Sequence, residues 1–174
     1  MVYARLTAKE LKEKLEKYIP LMEKLHKRST DIGRELGFIF CVKDQNIFPS
    51  TVVEGESREI SEFVGCEPFD ATEIGSFHTH PSPLGVPLPA AQDLCYFMER
   101  GHQFLCVSGN LPYYIGCWEI LDTPERKEFE KKCEVFSQCK DLQDCWRKEL
   151  EMEEEMRKNW NKILRTIIEK PIKD

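Results

Sequence analysis

His78-Thr79-His80 holds two of the four histidines in a chain of 174 residues. On a β-strand, residues i and i+2 point to the same face, so both imidazoles project together, which is how two ligands reach one metal ion. Pro81 ends such a strand. The next acidic residue, Asp93, follows after twelve intervening residues, most of them in a Pro-rich loop that can fold back and set the carboxylate beside the imidazoles. Two histidines and one aspartate leave a tetrahedral zinc one open position for water, the pattern of a catalytic rather than a structural site. Rival zinc patterns are absent from the sequence. There is no H-x-E with P-C-x-x-C, as deaminases require, and no H-E-x-x-H. His80-Pro81-Ser82-Pro83 lacks the last two ligands of an H-x-H-x-D-H run, and the eight cysteines include no C-x-x-C pair from which a four-thiolate zinc site is built.

The elements that must carry these residues can be read from periodicity. Thr7-Ala8-Lys9-Glu10 is a capping box ahead of Leu11, Leu15, Tyr18, Ile19, Met22 and Leu25, whose near-3.6 spacing predicts a helix on a core, kinked or divided at Pro20. Glu35 to Val42 is a short apolar run with the composition of a buried strand, and Asn46 to Val53 reads as its hairpin partner. A third strand covers Glu73 to His80. Four prolines and a glycine between Pro81 and Pro89 make a loop, and helical composition returns from Ala90 until Gly101 stops it. Gln103–Ser108 and Tyr113–Leu121 read as two further strands around a Gly109-Asn110 turn. This order predicts an α/β fold with a mixed sheet flanked by helices.

Beyond Pro124 the character changes. Phe129, Cys133, Phe136, Leu142, Trp146, Leu150, Met156, Trp160, Ile163 and Ile167 recur at near-helical spacing through charged sequence, as one long or two stacked amphipathic helices require. The expected division is a domain over 1–123 and a helical extension over 124–174 that packs on it or forms an interface, with a partner or a second copy of the chain. Trp118, Trp146 and Trp160 read as core or interface anchors. His26 and His102, in polar or turn-adjacent sequence, are expected at the surface.

Composition, 41% hydrophobic and 32% charged, is that of a globular protein. No apolar window approaches the length of a membrane span, and the N-terminus runs straight into charge, unlike a signal peptide. The expected compartment is therefore the cytoplasm, with most cysteines as small buried hydrophobes and disulfides left open for the cytosol of a hyperthermophile. Net charge is −6, and the segment from Asp44 to Glu99 carries ten acids against one base, Arg58. That distribution disfavours a nucleic-acid backbone and favours a cationic partner.

Gly75-Ser76-Phe77-His78-Thr79-His80-Pro81, a Pro-containing loop, Asp93, and Glu35 on the upstream strand together resemble the JAMM or MPN+ metalloproteases. That family includes deubiquitinases of the proteasome lid and signalosome and smaller prokaryotic relatives. The resemblance covers about residues 5–122 and implies the same fold. It implies that His78, His80 and Asp93 bind one zinc per chain and that Glu35 holds the attacking water, as general base and then acid. It further implies hydrolysis of an amide bond, releasing a ubiquitin-like modifier from a lysine or trimming a C-terminal extension. Two departures stand out. The family's oxyanion-binding serine falls on Ala90, with Ser82 or Ser108 as substitutes, and the His-to-Asp interval is about two residues longer. Rival expectations are a non-catalytic scaffold of the same fold, which Ala90 favours, and a zinc hydrolase of small amides. A DNA-associated RadC-like relative fits less well, because the chain lacks a basic stripe.

Overall fold

The computed structural model describes residues 5–57 and 59–174. Its first helix opens on the expected capping box: Glu10 N donates to Thr7 Oγ1 and Thr7 N to Glu10 Oε1, both at 3.1 Å. α1 (Ala8–Leu15) and α2 (Ile19–Ile32) are separated by one 3-10 turn over Glu16–Tyr18. Pro20 thus falls in the first turn of α2, where a missing N–H costs nothing. α2 ends at Gly33, whose φ of 67° is the left-handed stop that a residue without Cβ adopts freely.

Seven strands form one mixed sheet: β1 (Leu36–Lys43), β2 (Asn46–Pro49), β3 (Val53–Glu54), β4 (Thr72–Thr79), β5 (Phe104–Asn110), β6 (Tyr113–Ile120) and β7 (Leu164–Pro171). The order is β2-β1-β4-β5-β6-β7, with β3 paired to the start of β1. Only β4 and β5 are parallel, joined through the loop and α3 (Ala91–Glu99); every other pairing is antiparallel. One sheet face buries Phe38, Phe40, Phe77 and Phe104 against Leu11, Leu15 and Met22 of α1 and α2. The other buries Ile39, Leu105, Val107 and Trp118 against α3 and the C-terminal helices α4 (Pro124–Lys132) and α5 (Leu142–Lys158). The architecture is the expected α/β class, with helices on both faces of the sheet. No helix among the described residues is long and apolar enough to cross a membrane.

Four expectations are corrected. Gly109 and Asn110 lie inside β5, and the turn falls on Leu111-Pro112, because the register runs on to Asn110 opposite Tyr113. The C-terminal segment is helical only to α6 (Trp160–Ile163); it then becomes β7, the edge strand, with Ile167 and Ile168 buried. The stripe's spacing continued through Ile167, but Thr166-Ile167-Ile168 is β-branched and finds the open edge of β6. All eight cysteines are paired, as Cys41–Cys66, Cys95–Cys133, Cys106–Cys117 and Cys139–Cys145, not held as thiols. Finally, His26 and His102 are buried, each hydrogen-bonded to partners far away in sequence.

Candidate metal centre

The site is built where β1 and β4 run antiparallel. Gly37 pairs with His78, and extending that register by two residues sets Glu35 opposite His80, all on the sheet face that carries α3. β4 is fixed at this end by Thr79, whose Oγ1 lies 2.5 Å from Ser29 Oγ and accepts from Leu36 N at 2.9 Å. Gly37 allows close cover from the loop that follows β3. A Cβ there would lie 2.6 Å from Phe77 O, 2.9 Å from Ile60 Cδ1 and 3.0 Å from Phe63 Cε1. Because one of those atoms is backbone that cannot swing away, Gly37→Ala is expected to destabilise the protein by about 1–3 kcal/mol, read as a lower midpoint in thermal unfolding.

His78, His80 and Asp93 are brought together. His78 Nε2 lies 3.2 Å from His80 Nε2 and 3.2 Å from Asp93 Oδ2, and His80 Nε2 lies 3.8 Å from the same oxygen. A tetrahedral ion with ligand bonds of about 2.0–2.2 Å separates its ligands by about 3.3–3.5 Å. The triangle brackets that value. His80 Nδ1 donates to Val86 O at 2.7 Å, which fixes the tautomer and leaves Nε2 with its lone pair toward the other two ligand atoms. Asp93 sits in the first turn of α3, and the same Oδ2 accepts from Ala90 N at 2.9 Å. Burial alone would raise the Asp93 carboxyl, but His78 and His80 outweigh it and hold the group well below the usual carboxylate range. Burial likewise works against a charged His80, and the Asp93 hydrogen bond and charge reverse it, so its pKa is raised. Three mutually facing donor atoms with one tautomer locked could hold a metal ion.

Glu35 is 5% exposed. Burial, partly offset by His78 and His80, pushes its carboxyl up to about 7. It lines a cavity of about 360 Å³ together with His78, His80, Asp93, Ile60, Phe63, Ser82 and Ala90. An acid with that pKa takes and returns a proton near neutrality at little cost. The two substitute serines separate. Ser82 lines the cavity, and its Oγ accepts from Leu84 N at 3.2 Å, which leaves its hydroxyl hydrogen to donate. Ser108 is buried toward α2, where its Oγ lies 2.7 Å from His26 Nδ1, and it takes no part in the cavity wall.

Several cavity residues escaped the sequence reading. Gln92, Tyr96 and Phe97 line it from α3, and their offsets of −1, +3 and +4 from Asp93 were the available signal. Glu149, from α5, had none. Its neighbour one turn on, Glu153, accepts from Ala91 N at 2.5 Å and so ties α5 to the start of α3. The far end of α3 is tied to β4 by Glu73, which receives Arg100 at 2.7 Å and His102 at 2.7 Å. Burial would raise Glu73, but those two donors outweigh it and bring its pKa down to about 2. The ring of Phe97 stacks on His102 at 5.3 Å and lies 6.0 Å from His78, so this ion pair backs the wall of the site. No protein-family model matches this chain, and no curated protein matches it at a significant level.

Proposed function

We propose that the chain is a zinc-dependent peptidase or isopeptidase of the JAMM type, with His78, His80 and Asp93 as the ligands. One observation carries the reading: a buried glutamate with a pKa of about 7 shares a cavity with three ligand atoms spaced for a tetrahedral ion. Zinc, when bound, supplies a Lewis acid for the scissile carbonyl and an acidified water. Glu35 takes the proton from the attacking water and delivers it to the leaving amine, which departs readily only when protonated. Ser82, with a hydroxyl hydrogen available at the cavity wall, takes the oxyanion-donor role that Ala90 cannot fill. Glu59 and Glu149 on the same wall favour a cationic segment beside the scissile bond, in keeping with a lysine-linked modifier or a basic extension. Four disulfides favour an oxidising compartment, or the cytoplasm of a hyperthermophile.

The test is elemental analysis of the purified protein after exposure to zinc, beside a His78→Ala/His80→Ala variant, followed by a panel of isopeptide-linked ubiquitin-like conjugates and lysine-rich peptides. The expected result is about one zinc per chain, lost in the variant, with zinc-dependent cleavage of at least one member of the panel. Failure to take up zinc, cobalt or manganese would remove the metalloenzyme reading. Zinc without cleavage would favour the scaffold that Ala90 suggests, and turnover confined to small amides would favour the third reading.

A further inference from the structure

A hydrogen-bonded chain on the opposite sheet face from the cavity ends on the loop that carries the second histidine ligand. Asn110 Nδ2 donates to Pro81 O at 3.1 Å and to Ser82 O at 3.0 Å, with Thr30 Oγ1 a third acceptor at 3.3 Å. Two carbonyl oxygens facing one amide require that its nitrogen point toward them, so Oδ1 points the other way. There it meets His26 Nε2 at 2.8 Å. His26 must therefore donate from Nε2, which leaves Nδ1 to accept from Ser108 Oγ at 2.7 Å. Each member's orientation dictates the next, and His26 and Ser108 are fully buried.

The backbone around Asn110 grips the other end of the same loop. Asn110 N and Leu111 N donate to Gly85 O at 2.8 and 2.9 Å, and His80 N donates to Ser108 O at 2.8 Å. Gly109 has no Cβ because the loop occupies that place: one would lie 2.5 Å from Pro87 N and 2.6 Å from Val86 C. Pro81, Ser82 and Gly85 are thus clamped to the end of β5, and Val86, the next residue, offers the carbonyl that fixes the His80 ring. A four-proline loop with little regular structure needs such a clamp, because ring orientation at His80 depends on where Val86 O is held.

We propose that Asn110, oriented by His26, is a positioning residue of the metal centre: its side-chain amide clamps the 81–85 loop and so sets the direction of His80 Nε2. This rests on His78, His80 and Asp93 being metal ligands. Asn110→Asp is the sharpest variant, since it is nearly isosteric and still accepts from His26 but presents oxygen to Pro81 O and Ser82 O. Asn110→Ala removes the clamp without that repulsion. His26→Phe keeps an aromatic ring but takes away the orienting donor, and His26→Gln can restore it.

Zinc affinity would be measured by chelator competition, the Co²⁺ absorption spectrum would report ligand geometry, and melting of the metal-free protein would report folding. Both Asn110 variants are expected to lose about 10–100-fold in zinc affinity with altered Co²⁺ bands. His26→Phe should lose less, His26→Gln should recover most of that loss, and His26→Phe combined with Asn110→Ala should lose no more than Asn110→Ala alone. Parent-like zinc affinity and Co²⁺ spectrum in Asn110→Ala would overturn the proposal, even with a lowered melting point, since that pattern is a structural role only. If an Asn110 variant does not fold, the His26 pair decides in the same way. A parent protein that takes up no metal would instead overturn the metal-site reading, and this proposal with it.

Discussion

Replacing Glu35 with Gln is expected to slow hydrolysis by orders of magnitude and, at pH 8, to raise the melting temperature of the metal-free protein. Loss of a positioned proton carrier costs about 10²–10⁴ in turnover. Zinc content should not change, because Glu35 is not among the three mutually facing ligand atoms. The stability gain follows from linkage. Burial raises the folded-state pKa to about 7, above the ordinary value of 4.5. Between those values the folded chain holds the proton more tightly than the unfolded chain, so stability is full below about pH 4.5 and falls as pH rises to about 7. At one pKa unit per 1.36 kcal/mol the full loss is on the order of 3 kcal/mol, or several degrees in a domain of this size. The amide cannot ionise, so Glu35→Gln should melt like the parent at pH 4.5 and above it at pH 8. A bound cation favours the carboxylate, and the gain should shrink on zinc loading. Melting curves across that range in chelator, with and without added zinc, provide the check. Parallel profiles for the two proteins would show that the carboxylate is not held against its charge, and retained turnover would end its role as proton carrier.

How much of this was legible in the sequence depends on how local each signal was. The capping box at Thr7, the division at Pro20 and the i, i+2 pair at His78 and His80 are set by neighbours a few residues away, and each forms as expected. Asp93 was reachable because twelve intervening residues with four prolines still permit a return of the chain, and a helix start is where a carboxylate is favoured. The failures are long-range. Ile167 carries a helical spacing and a strand composition at once, and only the free edge of β6, dozens of residues upstream, decides between them. His26 looks like a surface residue in polar sequence, yet it finds Ser108 and Asn110 more than eighty positions on. Ser108 and Ser82 were equivalent substitutes as letters. Strand parity separates them: Ser108 falls on the face of Phe104 and Cys106, toward α2, and the cavity is on the other side.

Reduction of the four disulfides is expected to unfold the protein or to lower its melting temperature by tens of degrees. The bridges close spans of 25, 38, 11 and 6 residues. Loop-closure entropy assigns each roughly 2–4 kcal/mol, and the total is comparable with the whole stability of an ordinary domain, about 5–15 kcal/mol. The Cys106–Cys117 span lies inside the Cys95–Cys133 span, so the contributions overlap and the sum is an upper bound. Position matters as much as number. Cys95 is two residues from Asp93 on α3 and bridges to Cys133 just after α4, so this bond ties the helix that carries Asp93 to the C-terminal helices. Cys41–Cys66 fastens the loop carrying Ile60 and Phe63 to β1, over the same cavity. Loss of zinc should therefore accompany loss of the bridges rather than follow global unfolding. Thermal melts and zinc release recorded together over a titration of a strong thiol reductant test both points. A fully reduced protein that still melts within a few degrees of the oxidised form, with its zinc, would show that the core needs no staples, and would fit a reducing compartment.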